Sequence, residues 1–108
     1  MSQFRSAKFL GIRCLETGRY QYELRSCLEE KNWLATGQIT PTYVAKLIER
    51  CRLDQYSLSE HRLHSGLMVN TFRPVYNGMH WYIKFYFPPV SGSEADEDLA
   101  MFISVHPS

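Results

Sequence analysis

Two stretches of this chain place proton-transferring and cationic side chains at alternate positions. His80, Tyr82, Lys84 and Tyr86 recur with a spacing of two, and Ser104 and His106 do the same further on. Arg73 precedes the first stretch, and Tyr56, His61 and His64 lie upstream of it. Imidazole, phenol, ammonium and guanidinium groups without an accompanying carboxylate form an anion-binding set. Lys and Arg neutralise phosphate, aromatic rings stack on bases, and an imidazole titrates near neutral pH and so serves as acid or base. These are the groups that holding or cutting RNA requires.

Such a set works only if the backbone brings it to one surface. Side chains alternate across a strand, and His80–Phe87 is the strongest strand in the sequence. Trp81, Ile83, Phe85 and Phe87 make its apolar row, and His80, Tyr82, Lys84 and Tyr86 make the other. In Leu99–His106 the apolar row is Leu99, Met101, Ile103 and Val105, against Ala100, Phe102, Ser104 and His106. Leu67–Arg73 reads as a strand ended by Pro74, with apolar residues in both rows, and Pro74–Gly78 carries the Asn-Gly pair of a turn. Tyr56–His64 reads either as a short strand or as a loop.

The N-terminal half is helical in pattern. Ser6–Glu16 ends at Gly18 and has a mixed pattern that a strand also fits. Arg19–Lys31 places Tyr20, Leu24, Cys27 and Leu28 on one helical face. Thr40 is a predicted N-cap with Pro41 at the first helical position. Val44, Leu47, Ile48 and Cys51 follow as its stripe, and the helix is expected to stop near Arg52. Helices followed by strands predict a two-layer α+β domain, with the N-terminal helices on one face of a small antiparallel sheet of three or four strands. The other face is then open to solvent or to a ligand.

At 108 residues the chain has room for one domain. No apolar run approaches the ~18 residues of a membrane helix, and the MSQFRSAK start lacks a secretory signal, so the expected compartment is the cytoplasm. Cys14, Cys27 and Cys51 form no CxxC pair and no zinc spacing, their odd count argues against a disulfide scaffold, and no metal or other cofactor is expected. The formal net charge is +1, but Glu94, Asp96, Glu97 and Asp98 lie together in a proline- and serine-containing stretch, 88–98, that reads as a flexible acidic loop. Outside it the chain is basic, as a polyanion-binding body would be.

Asn70-Thr-Phe-Arg-Pro74, Trp81-Tyr-Ile-Lys-Phe85 and Met101-Phe-Ile-Ser-Val-His106 occur in this order. The arrangement resembles the MqsR branch of the RelE-like bacterial toxins, which carry a D-V-Y-R-P segment, a strand with Y-L-K and a terminal V-S-F-K strand. The likeness spans roughly residues 41 to 106, including the helix of Val44, Leu47 and Ile48 and the segment Asp54-Gln-Tyr56. It implies a RelE-like domain that cleaves messenger RNA without a metal and is held inactive by a cognate antitoxin. Tyr82 then matches an active-site tyrosine, and His106 stands where the family has a catalytic lysine. Ser57 and Val69 depart from a family lysine and glutamine; either His61 or His64 stands in for them, or this relative works differently or not at all.

On this basis Arg73 and Lys84 are assigned to the phosphate, His106 to proton transfer, Tyr82 to orienting the scissile phosphate, and His61 or His64 to a second proton transfer. Tyr56, Tyr86 and His64 are expected to contact the RNA. The competing expectation is a non-catalytic module that binds protein or single-stranded nucleic acid through Tyr82, Tyr86, Phe102 and Trp33.

Overall fold

The computed structural model describes residues 3–23, 28–88 and 99–108. Helix α1 spans Gln3–Thr17, and its buried Ala7, Gly11, Cys14 and Leu15 form one stripe. Gly18, at φ 75°, turns the chain left-handed behind it, and the Arg19 N–H donates to the Cys14 carbonyl at 2.9 Å. Two short helices, α2 (Leu28–Lys31) and α3 (Trp33–Thr36), come next, followed by α4 (Pro41–Glu49). Thr40 caps α4 as its sequence predicts: the hydroxyl accepts from the Tyr43 N–H at 3.1 Å, with Pro41 in the first turn. Val44, Ala45, Leu47 and Ile48 are its buried stripe. Lys8 ties the end of α4 to α1 by donating to the Cys51 carbonyl at 2.9 Å.

The strands are β1 (Tyr20–Tyr22), β2 (Tyr56–Glu60), β3 (Met68–Phe72), β4 (Val75–Tyr76), β5 (Met79–Tyr86) and β6 (Ala100–Pro107). The sheet order is β1-β6-β5-β3-β2, with β4 forming a hairpin with β5. Asn77 and Gly78, at φ 53° and 76°, make that turn, both central residues lying in the left-handed region that a two-residue hairpin of type I′ demands.

The architecture is α+β, with two differences from the expected sheet. It has six strands among the described residues and it is mixed, because β1 pairs parallel to β6 (Tyr20 opposite Ala100, Tyr22 opposite Phe102). The Tyr20 end of the expected Arg19–Lys31 helix is therefore strand. Ladder hydrogen bonds to β6 outweigh the helical spacing there, and only Leu28–Lys31 of that stretch is helical among the described residues. Asn32 reinforces the junction. Fully buried, it caps α3 through the Ala35 N–H (3.1 Å) and donates to the Phe102 carbonyl (3.3 Å). Residues 89–98, the expected flexible acidic loop, lie outside the described residues, as does Cys27. Cys14 and Cys51 are buried free thiols.

One face of the sheet meets the helices. Phe72, Trp81, Ile83, Phe85, Phe102 and Val105 join Leu15, Val44, Leu47 and Ile48 in one apolar core. Phe85 is central, with Phe72 stacked on it at 5.6 Å and Phe102 tilted against it at 5.0 Å. Gly11 of α1 makes room for this ring, since a Cβ there would lie 2.7 Å from Phe85 Cζ. Gly11→Ala is therefore expected to lower stability by about 1–3 kcal/mol through overpacking, outweighing the ~1 kcal/mol that alanine gains in a helix interior. Urea denaturation checks this, and an unchanged or raised midpoint would contradict it.

The β5–β6 ladder contains a bulge. Lys84 faces Ser104 while the next residue, Phe85, faces Phe102, leaving Ile103 as the extra residue. The expected apolar row of β6 is split as a result. Phe102 and Val105 enter the core, whereas Ile103 and Met101 join Val69, Tyr86 and Leu67 in a smaller cluster on the far face.

Candidate functional site

The far face of the sheet carries the cationic and proton-transferring side chains. Alternation along β5 puts Tyr82 and Lys84 there, and the ladders supply their neighbours. His106 of β6 faces Tyr82, while Ser104 and Thr71 flank Lys84 on its two sides. Ser57 of β2 lies beyond Thr71. The bulge decides this arrangement, because it restores Ser104 and His106 to the far face after Phe102 has pointed inward.

Arg73 follows β3 directly. Its N–H donates to the Gln55 carbonyl at 2.8 Å, and Pro74 then ends the strand. The Arg73 guanidinium lies 5.4 Å from the Tyr82 ring centre and donates to the Ser57 hydroxyl at 3.3 Å. On the other flank of Tyr82 the His106 imidazole lies 5.3 Å away, tilted by 35°. A phenol thus sits between a guanidinium and an imidazole, with an ammonium one strand repeat further along. His106 Nδ1 is 2.8 Å from the Pro107 carbonyl. A carbonyl only accepts, so the proton is on Nδ1 and the neutral ring offers its Nε2 lone pair. Arg73 is exposed and Tyr82, Lys84 and His106 are half-buried, so an incoming ligand reaches all four. No ion pair engages Arg73 or Lys84 among the described residues. The arrangement is suited to an anion, with a proton acceptor beside it.

Of the residues expected from the sequence, Arg73, Tyr82, Lys84 and His106 are therefore brought together. Tyr56, His61, His64 and Tyr86 are not. Tyr56 lies on the helix side of β2, against Phe4 and Phe72, and its hydroxyl donates to Asn70 Oδ1 at 2.6 Å. Burial pushes its phenol above the ordinary value, ahead of a smaller opposing hydrogen bond with Gln3. His61 is buried: Nδ1 accepts from the Leu63 N–H at 3.0 Å, which leaves Nε2–H to donate to Glu23 at 3.1 Å. The Tyr86 hydroxyl donates to the same Glu23 oxygen. Tyr86 lies four residues along β5 from Tyr82, about 13 Å at ~3.3 Å per residue, and His61 sits edge-on to it at 5.2 Å. His61 consequently shares no proton with a substrate held at His106. His64 is exposed at this same distant end, 4.8 Å from His61.

The surface expected for the competing module is altered as well. Phe102 is fully buried, and Trp33 packs edge-on against Trp81 at 5.8 Å. Glu23 was not singled out from the sequence, and His80 was placed on this face without a role. Glu23 follows β1, whose partner strand lies far along the chain, so no local pattern marks it. His80 is exposed on the site's face of β5, and alternation alone already placed it there. The buried thiol of Cys51 is held above its ordinary pKa chiefly by desolvation, and it points at the carbonyls of Arg52 and Gln55, which removes it as a nucleophile.

Among the described residues no three His, Cys, Asp or Glu side chains converge as metal ligands, and no helix is long and apolar enough to cross a membrane. No family model, curated protein or solved structure matches this chain.

Proposed function

We propose that this protein is a RelE-like endoribonuclease of the MqsR type, a metal-independent messenger-RNA-cleaving toxin restrained by a cognate antitoxin in the cytoplasm. The observation that carries the proposal is the Arg73–Tyr82–His106 array beside Lys84 on the open sheet face. Cleavage within RNA requires a base at the 2′-hydroxyl, positive charge at the phosphorane and an acid at the 5′-oxygen. His106 Nε2 takes the 2′-hydroxyl proton. Arg73 and Lys84 neutralise the phosphorane oxygens, which is the larger share of such catalysis. Tyr82, fixed between guanidinium and imidazole, orients the phosphate and is the nearest group able to protonate the leaving oxygen. The sequence resemblance supports this reading at Tyr82, Arg73 and Lys84.

One observation favours a second reading. With His61 held by Glu23 and Ser57 standing where the family has a lysine, the array contains one imidazole with a free nitrogen, which suffices to bind RNA without cutting it. Purified protein incubated with messenger RNA in EDTA separates the two. Fragments ending in 2′,3′-cyclic phosphate, together with growth arrest on expression that the product of an adjacent gene relieves, are the expected result. RNA that binds but stays intact would establish the second reading, and RNA that is neither bound nor cut would end both.

A further inference from the structure

The same sheet face continues past the cationic array to a cleft of about 510 Å³. The segments 64–67 and 86–88 line it, so its lining is mainly apolar, with His64 and Ser65 at its polar side and no Lys or Arg among them. That volume lies within the range of small-ligand sites, and the lining supplies no Lys or Arg to neutralise a phosphate.

Two of the lining rings are held in place from behind. Glu23 accepts from the Tyr86 hydroxyl and from His61 Nε2, and His61 in turn accepts from the Leu63 N–H. The fixed His61 ring meets Tyr86 edge-on at 5.2 Å and His64 at 4.8 Å with a 47° tilt. His61 and Glu23 are thus positioning residues: both ring nitrogens of His61 are engaged, and what the pair presents to the cleft is the orientation of two other rings. His64 is exposed at the rim.

We infer that this cleft is a nucleobase subsite, in which one base of the bound RNA strand stacks on the exposed His64 ring, over a floor made by the edge of the buried Tyr86, while the strand's phosphates lie on Arg73 and Lys84. The inference rests on the RNA reading above and extends it from the scissile phosphate to a neighbouring base. Tyr86 and Tyr82 share one row of β5, about 13 Å apart at ~3.3 Å per residue. An extended single strand lying along that row crosses this distance within a few nucleotides. Cations at one end and neutral rings at the other match the division of a nucleotide into phosphate and base.

The probes are short fluorescent oligouridylates, one intact and a series in which a single abasic residue replaces each nucleotide in turn, with binding read by anisotropy. In the wild type, one abasic position is expected to weaken binding roughly tenfold, the order of a single base–aromatic stack. His64→Ala should weaken the intact strand by a similar factor and erase the penalty of that abasic position, with the salt dependence unchanged. His64→Phe, which keeps a ring, should restore both. Arg73→Ala should weaken every probe alike and reduce the salt slope. An abasic penalty that persists in His64→Ala, or the absence of any penalised position, overturns the subsite and leaves the RNA reading standing. A wild-type protein that binds no probe overturns the RNA reading, and the subsite with it.

Discussion

Replacing His106 by alanine is expected to slow RNA cleavage by about 10²–10⁴-fold, the range of a positioned acid–base group, with the fold intact. The size of the effect follows from how the ring is held. The Pro107 carbonyl binds Nδ1–H, so the ring presents Nε2 without first choosing a tautomer, and Tyr82 packs against it. Water entering the space left by alanine supplies neither that orientation nor that basicity. His106 is half-buried and outside the apolar core, so the unfolding midpoint should move little. Lys84→Ala should also slow cleavage, by about 10²–10³-fold, if it neutralises charge that develops at the phosphorane. The measurement is single-turnover cleavage of a labelled RNA in EDTA, with circular dichroism as the control for folding. Wild-type rates in both variants would remove these two residues from the mechanism.

The second large effect is on stability. Phe102→Ala is expected to cost about 3–5 kcal/mol, as for other buried Phe truncations. The ring has no solvent exposure, lies 5.0 Å from Phe85 and 6.3 Å from Tyr20, and sits where β1, β5 and β6 meet. Its truncation leaves a cavity that the ladders on both sides prevent from closing. A surface residue recruited for binding would behave in the opposite way, losing affinity at unchanged stability. Urea unfolding followed by tryptophan fluorescence decides between them, and a loss below about 1 kcal/mol, the scale of surface substitutions, would show that Phe102 is not core.

These two residues also mark what the sequence made legible. Tyr82, Lys84 and Arg73 were recoverable because β5 alternates cleanly over its whole length and Pro74 fixes where β3 ends, and His106 because the alternation of β6 is regular again from Ser104 onward. Helix α4 was recoverable because its cap, its first-turn proline and its stripe all agree. Phe102 was not. Met101-Phe-Ile103 is a run of three apolar residues, and nothing polar in it reveals that the alternation slips by one. That bulge exists only in relation to β5. The strand β1 was missed for a related reason: three residues with a partner at 100–102 leave no periodic trace, while Tyr20, Leu24 and Leu28 fit a helix. The position of His61 depended on that same strand, since Glu23, its partner, follows β1 directly. Tyr56 was ambiguous because its segment reads as strand or loop, and only the β2–β3 register settles which face it occupies.

The position of β6 between β1 and β5 bears on how the molecule is made. On the ribosome, residues 20–22 emerge long before 100–102, at ~5–20 residues per second, and they wait without a ladder until β6 arrives. Pairings this distant in sequence raise contact order and slow folding. Because β6 also carries His106, the nascent chain gains its proton acceptor in the same event that closes its sheet. A polypeptide still lacking that strand has neither, so the closed sheet and the Tyr82–His106 pair are completed in one step.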